Sequence, residues 1–147
     1  HNYVFDVGVT TRDAINRFER EGNPFAGRTD VNSNGNGSLM RIAPLTFYLL
    51  NKPIEQRWQI TKEVASLTHG HIRGALACFI YIEFMQNLLS GQGKIAAYEN
   101  TKQITLNFFE NILEWASEKQ HFFKILYGDI TNQPEKGIFG SGYVVHC

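Results

Sequence analysis

The sequence predicts an all-α fold in a single domain, and three observations carry that expectation. Apolar residues recur at helical spacing along most of the chain, and strand-like alternation is nearly absent. The stretch Ile72 to Leu89 is apolar on nearly every face, as expected of a helix buried among others. With 147 residues, 43% of them hydrophobic, the chain can bury roughly 68–70% of its unfolded surface and needs no disulfide to stay folded.

The first helix opens at Thr10-Thr11-Arg12-Asp13, sets Ala14, Ile15 and Phe18 on one face, and closes at Gly22 before Pro24. From Gly22 to Gly37 the composition turns to Gly, Asn, Pro, Asp and Ser; polar connections of this length are usually functional or disordered. Residues 38–50 read as a helix that tolerates Pro44 near its first turns, and Asn51-Lys52-Pro53 breaks it. Ile54 to Leu67 is amphipathic, Thr68-His69-Gly70-His71 interrupts the pattern, and the buried helix follows until Ser90-Gly91-Gln92-Gly93. A periodic stretch from Lys94 to about Lys119 sets Ile104, Phe108, Ile112, Leu113 and Trp115 on a buried side, and a further helix runs through Phe122 to Leu126. Asp129 to Ser141 is a polar loop, and Gly142-Tyr143-Val144-Val145 fits either a strand or a helix start. The aromatic set Phe79, Phe84, Phe108, Phe109, Trp115, Phe122 and Phe123 falls on helical faces and reads as core.

Fourteen basic and fourteen acidic residues give a net charge of zero, which disfavours binding to duplex nucleic acid by phosphate neutralisation. The cysteines are Cys78 and Cys147, so a reducing cytoplasm fits better than a secreted disulfide scaffold. No apolar run is expected to span a bilayer, and no signal pattern opens the chain. The start at His1 and the apolar end at Tyr143-Val144-Val145-His146-Cys147 suggest a domain cut at one or both ends.

The run Ser33-Asn34-Gly35-Asn36-Gly37-Ser38-Leu39-Met40-Arg41 is the leading candidate site. Glycine lets backbone N–H groups approach a ligand, and the first turn of the next helix offers unpaired N–H groups that favour a phosphate or diphosphate. The same run also fits an Asn-Gly turn with Ser38 as N-cap, which stabilises the helix by roughly 1 kcal/mol and binds nothing. It is neither a P-loop nor a GxGxxG element. Arg41 is placed either to fold back over an anion at that N-terminus or to pair with a nearby Asp. His69 and His71 supply two metal ligands if other donors converge; otherwise one caps a helix and the other is solvated or hydrogen-bonded. With Thr68 as cap of the buried helix, His69 would lie at its positive end and donate to a ligand phosphate or hydroxyl. Tyr143 either stacks on a base or packs in the core. Asp30 is the carboxylate nearest the loop and alone defines no general base.

Taken in order, Asn36-Gly37-Ser38-Leu39-Met40-Arg41-Ile42-Ala43-Pro44, Thr68-His69 before a long apolar helix, and Ser141-Gly142-Tyr143-Val144-Val145-His146 resemble the ADP-ribosylglycohydrolase family. Phe5-Asp6-Val7-Gly8 with Thr10-Thr11-Arg12 extends the resemblance to nearly the whole chain. It implies an orthogonally packed all-α domain whose cleft holds ADP-ribose over two Mg²⁺ ions, and cleavage of ADP-ribose from a protein side chain or another leaving group. It further implies that Gly35, Asn36, Gly37, Ser38 and Met40 surround ribose and diphosphate, that Arg41 supports that loop, that His69 reaches the distal ribose or phosphate, and that Tyr143 lies against the ligand. The family's metal motifs, Thr-Asp-Asp upstream and Asp-x-Asp-Thr/Ser downstream, do not occur in this sequence, and Thr29-Asp30-Val31 is no substitute. The resemblance therefore implies magnesium ligands outside this chain and a chain that is catalytically silent by itself. A non-catalytic ADP-ribose-binding or structural module of the same fold is the alternative.

Overall fold

The computed structural model describes residues 7–110, 112–128 and 142–146. Phe5, Asp6, the expected loop from Asp129 to Ser141, and Cys147 lie outside them. The all-α expectation holds: helices dominate, and the β contacts among the described residues are two isolated bridges, Arg28 with His69 in parallel and Gly35 with Tyr143 antiparallel.

Helix α1 (Val9–Glu21) ends at Gly22, whose left-handed backbone, φ 67°, lets its N–H bond to Phe18 O. Of the face expected to be buried, Ala14 is, while Ile15 and Phe18 stay about half exposed. The stretch expected as one helix from 38 to 50 is two, α2 (Gly37–Ile42) and α3 (Leu45–Tyr48). Pro44 has no N–H to give the carbonyl four residues earlier, so the ladder breaks there. Helix α4 (Ile54–Ser66) and helix α5 (Ile72–Leu89) fall where the periodicity put them.

The periodic stretch from Lys94 also divides, into α6 (Lys94–Phe109), α7 (Leu113–Glu118), a 3-10 turn (Lys119–Phe122) and α8 (Phe123–Leu126). Packing explains the break. Trp115 stacks on Phe109 with ring centroids 5.5 Å apart. Six residues along a straight helix would separate their backbones by about 9 Å and turn them to different faces. Folding the chain back brings the indole into the aromatic core and turns Leu113, expected inside, out to 87% exposure; Phe123 is likewise exposed.

Helix α5 is the axis of the molecule. It packs against α2, α3, α4, α6 and a terminal 3-10 turn, Val144–His146. One side meets Phe109, Trp115, Phe122, Leu126 and Val144; the other meets Ile42, Leu49 and Ala65. With 18 residues and a mean hydropathy of 1.2, α5 is long and apolar enough to cross a membrane, which corrects the expectation that no segment approaches that length. Half of it is buried in the core, and its charges are paired: Arg73 with Glu118 at 2.6 Å and Glu83 with Arg57 at 2.6 Å. Charges are rarely found at this depth without such partners.

Candidate functional site

The connection after α1 reaches the core through a tight backbone crossing. Gly27 N–H donates to Ser66 O and Gly70 N–H to Arg28 O, at 3.0 and 2.9 Å. A Cβ on Gly27 would lie 2.6 Å from His69 N, Gly70 N and Ser66 O, so only glycine fits. This crossing fixes the main chain of His69. Further on, Asp30 caps a 3-10 turn (Val31–Ser33), accepting from Asn32 N–H and the Ser33 hydroxyl at 3.1 and 2.8 Å. The Ser33 hydrogen bond holds its carboxyl below the usual range. Asp30 is thus a structural cap.

The glycine run then pairs with the terminal segment. Asn36 N–H donates to Gly142 O at 2.9 Å and Val144 N–H to Asn34 O at 3.0 Å, which makes the Gly35–Tyr143 bridge. Helix α2 begins at Gly37 after Asn36, so Ser38 is its second residue and not its N-cap. The Ser38 side chain is buried beside Cys78, whose thiol burial pushes up to about 11. The Met40 side chain points outward, 77% exposed, while its N–H closes the first helical bond to Asn36 O.

His69 is 2% exposed and turns the Nε2 and Cε1 edge of its ring to the run. A Cβ on Gly37 would lie 2.8 Å from Cε1 and 3.2 Å from Nε2; one on Gly35 would lie 3.5 Å from Nε2. The two glycines therefore leave the imidazole uncovered by side chains of their own. Burial, and then the Arg41 charge, keep the ring below its ordinary pKa and hence neutral at pH 7.

Arg41 does not fold over the start of α2. Its Nη2 donates to Val64 O at 2.8 Å, Ala65 O at 3.3 Å and Thr68 Oγ1 at 2.8 Å, which ties α2 to the C-terminal end of α4, where a cation is favoured. Thr68 does not cap α5 either. That role falls to His71, whose Nδ1 accepts from Arg73 N–H at 3.1 Å, and His69 lies two residues before the cap, against the first turn at Gly74. Instead Thr68 Oγ1 meets His69 Nδ1 at 2.8 Å.

Tyr143 is anchored by a buried cluster that sequence reading missed. Arg73, 5% exposed, donates through Nη1 to the Tyr143 hydroxyl, through Nε to Glu118 and through Nη2 to His121 Nε2 at 2.8 Å. An arginine within a helix apolar on nearly every face was the available signal, since such a charge needs buried partners. Asn34, buried next to the run, was missed as well; its Oδ1 has no hydrogen-bond partner among the described residues.

The structure brings Gly35, Asn36, Gly37, Ser38, His69 and Tyr143 into one neighbourhood, sets Arg41 behind His69, and leaves the Met40 side chain outside. The donors of the described residues do not assemble a metal site. Among the described residues no three His, Cys, Asp or Glu side chains converge, and His71 spends Nδ1 on capping.

A family model described as ADP-ribosylglycohydrolase matches residues 1–147. An ADP-ribosylarginine hydrolase, Tri1, of Pseudomonas putida strain GB-1 is 29% identical over 90 residues, covering 61% of this chain and 24% of that protein. The chain thus matches about a quarter of the relative's length. No solved structure matches.

Proposed function

Because the chain belongs to the ADP-ribosylglycohydrolase family, we propose that it carries the ADP-ribose-binding part of a cytoplasmic hydrolase that removes ADP-ribose from modified protein side chains or related conjugates. The observation that supports this most is the meeting of three segments distant in sequence at Gly35, Gly37, His69 and Tyr143. In this reading the first turn of α2 receives the diphosphate, with its N–H groups lacking intrahelical partners. His69 donates from Nε2 to a ribose or phosphate oxygen, and Tyr143 borders the ligand. Asn36, Ser38 and Met40 contribute main chain, and Arg41 acts from behind the loop. Magnesium dependence belongs to the same proposal, with ligands on segments outside this chain, because the donors among the described residues do not suit the ion.

The alternative is a module of the same fold that binds ADP-ribose without turnover. Calorimetric titration of the full-length protein with ADP-ribose, with and without Mg²⁺, together with release of ADP-ribose from modified arginine or serine peptides, separates the two. Metal-dependent release supports the hydrolase. Metal-independent binding without release supports the module. Absence of binding by the wild-type protein refutes both.

A further inference from the structure

Behind His69 runs a chain of hydrogen bonds that no ligand contact accounts for. Arg41 Nη2 donates to Thr68 Oγ1 at 2.8 Å, and Thr68 Oγ1 lies 2.8 Å from His69 Nδ1. A guanidinium has no acceptor, so the first bond has one direction: the threonine oxygen accepts. A hydroxyl has one hydrogen to give, and the acceptor that it meets on the other side is Nδ1. The reverse order, with a proton on Nδ1, would aim an N–H at an oxygen that already accepts from a cation and would leave the hydroxyl hydrogen without a partner in this chain of bonds.

We propose that Arg41 and Thr68 are positioning residues that fix His69 as its Nε2–H tautomer, so that a single N–H donor faces Gly35 and Gly37 of the run. The ligand atom that this donor selects is an oxygen acceptor, a phosphate or sugar oxygen, and not a donor such as an ammonium or amide N–H. The identity of the ligand rests on the functional reading above; the tautomer does not. The geometry fits such a role. The ring is nearly sealed from solvent, its main chain is held by the Gly27–Gly70 crossing, and its Nε2 is the ring nitrogen directed at the glycines. Arg41 lends its charge through the hydroxyl, which polarises the bond into Nδ1. Its three acceptors also lock the guanidinium, so the relay has one arrangement.

The test uses the full-length protein labelled with ¹⁵N at histidine, and the variants Thr68→Val and Thr68→Ser. Valine keeps the volume and removes the donor to Nδ1; serine restores the hydroxyl. The expected result at neutral pH is a wild-type His69 signal with the proton on Nε2, a mixture of tautomers in Thr68→Val, and recovery in Thr68→Ser. ADP-ribose affinity should fall in Thr68→Val in proportion to the share of His69 that leaves the Nε2–H form, about twofold for an equal mixture, and return in Thr68→Ser. An Nδ1–H tautomer in the wild type, or an unaltered tautomer in Thr68→Val, overturns the relay. Equal ADP-ribose affinity in wild type and Thr68→Val, with the tautomer changed, overturns the ligand-facing role. A wild-type protein that shows the Nε2–H signature and does not bind ADP-ribose supports the relay and refutes the functional reading.

Discussion

Substituting alanine at Gly37 and at Gly35 tests the site's central geometry, because the two positions face the same ring at different distances. At Gly37 the new Cβ would lie 2.8 Å from His69 Cε1 and 3.3 Å from Thr11 Oγ1. Carbon atoms in contact prefer about 3.5–4.0 Å, so the ring or the loop must yield by roughly 0.7 Å. The ring has little room: it is buried, and its far nitrogen is bonded to Thr68. Overpacking of this kind costs about 1–3 kcal/mol, and the helical preference of alanine over glycine, at most about 1 kcal/mol, offsets only part of it. Gly37→Ala should therefore lose about 1–2 kcal/mol in urea unfolding, with the m-value unchanged. At Gly35 the new methyl would sit 3.5 Å from Nε2, an ordinary contact. Gly35→Ala should stay within about 0.5 kcal/mol of wild type in stability. It nonetheless sets a methyl group against Nε2, and titration should show ADP-ribose affinity reduced at least tenfold. Equal stability of the two variants, or wild-type affinity in Gly35→Ala, would refute the placement of His69 against the run.

Three further outcomes follow from buried groups. Arg73→Met should cost about 3–5 kcal/mol, because Glu118 is left buried without its cation, and Arg73→Met/Glu118→Leu should recover part of that loss in urea unfolding. Cys78, with its thiol raised to about 11 by burial, should resist alkylation by iodoacetamide at pH 8 in the native protein and react on unfolding, as read by peptide mapping. His69 and His71 are both held below their ordinary value by burial, so their contribution to stability is complete above about pH 6.5 and is lost as the pH falls through their lowered native values, because the unfolded chain takes up protons first. Unfolding free energy should decline from pH 7 towards pH 5.5, and His69→Gln should flatten that slope; an unchanged slope would exclude His69 as its source.

The helices that sequence reading placed well are those whose pattern is local. Helix α5 needs no partner to be recognised, and its bounds match the apolar run from Ile72 to Leu89. Pro53 and Gly93, the residues before α4 and α6, likewise mark where those helices begin. The errors lie where tertiary contacts outweighed periodicity. The spacing from Lys94 to Lys119 suits one helix, yet the stacking of Trp115 on Phe109 gains more by breaking it, and no proline or glycine announces the turn. Phe123 fits a helical face and still lies outside, because helical spacing places a side chain on a face and does not say what that face meets.

At the site, residue types were legible and their partners were not. Glycines at 35 and 37 signal close approach, but what approaches is a histidine thirty-odd residues later, delivered by a backbone crossing at Gly27 and Gly70. Arg41 reads naturally as an anion clamp until the end of α4, with its unpaired carbonyls, is brought next to it. The two bridges, Arg28 with His69 and Gly35 with Tyr143, explain why so little side-chain chemistry marks the place. Main-chain bonds register these segments, so the site's framework tolerates varied side chains and forbids a Cβ at Gly27. Gly27→Ala should accordingly displace His69 and abolish ligand binding without touching any group proposed to contact the ligand.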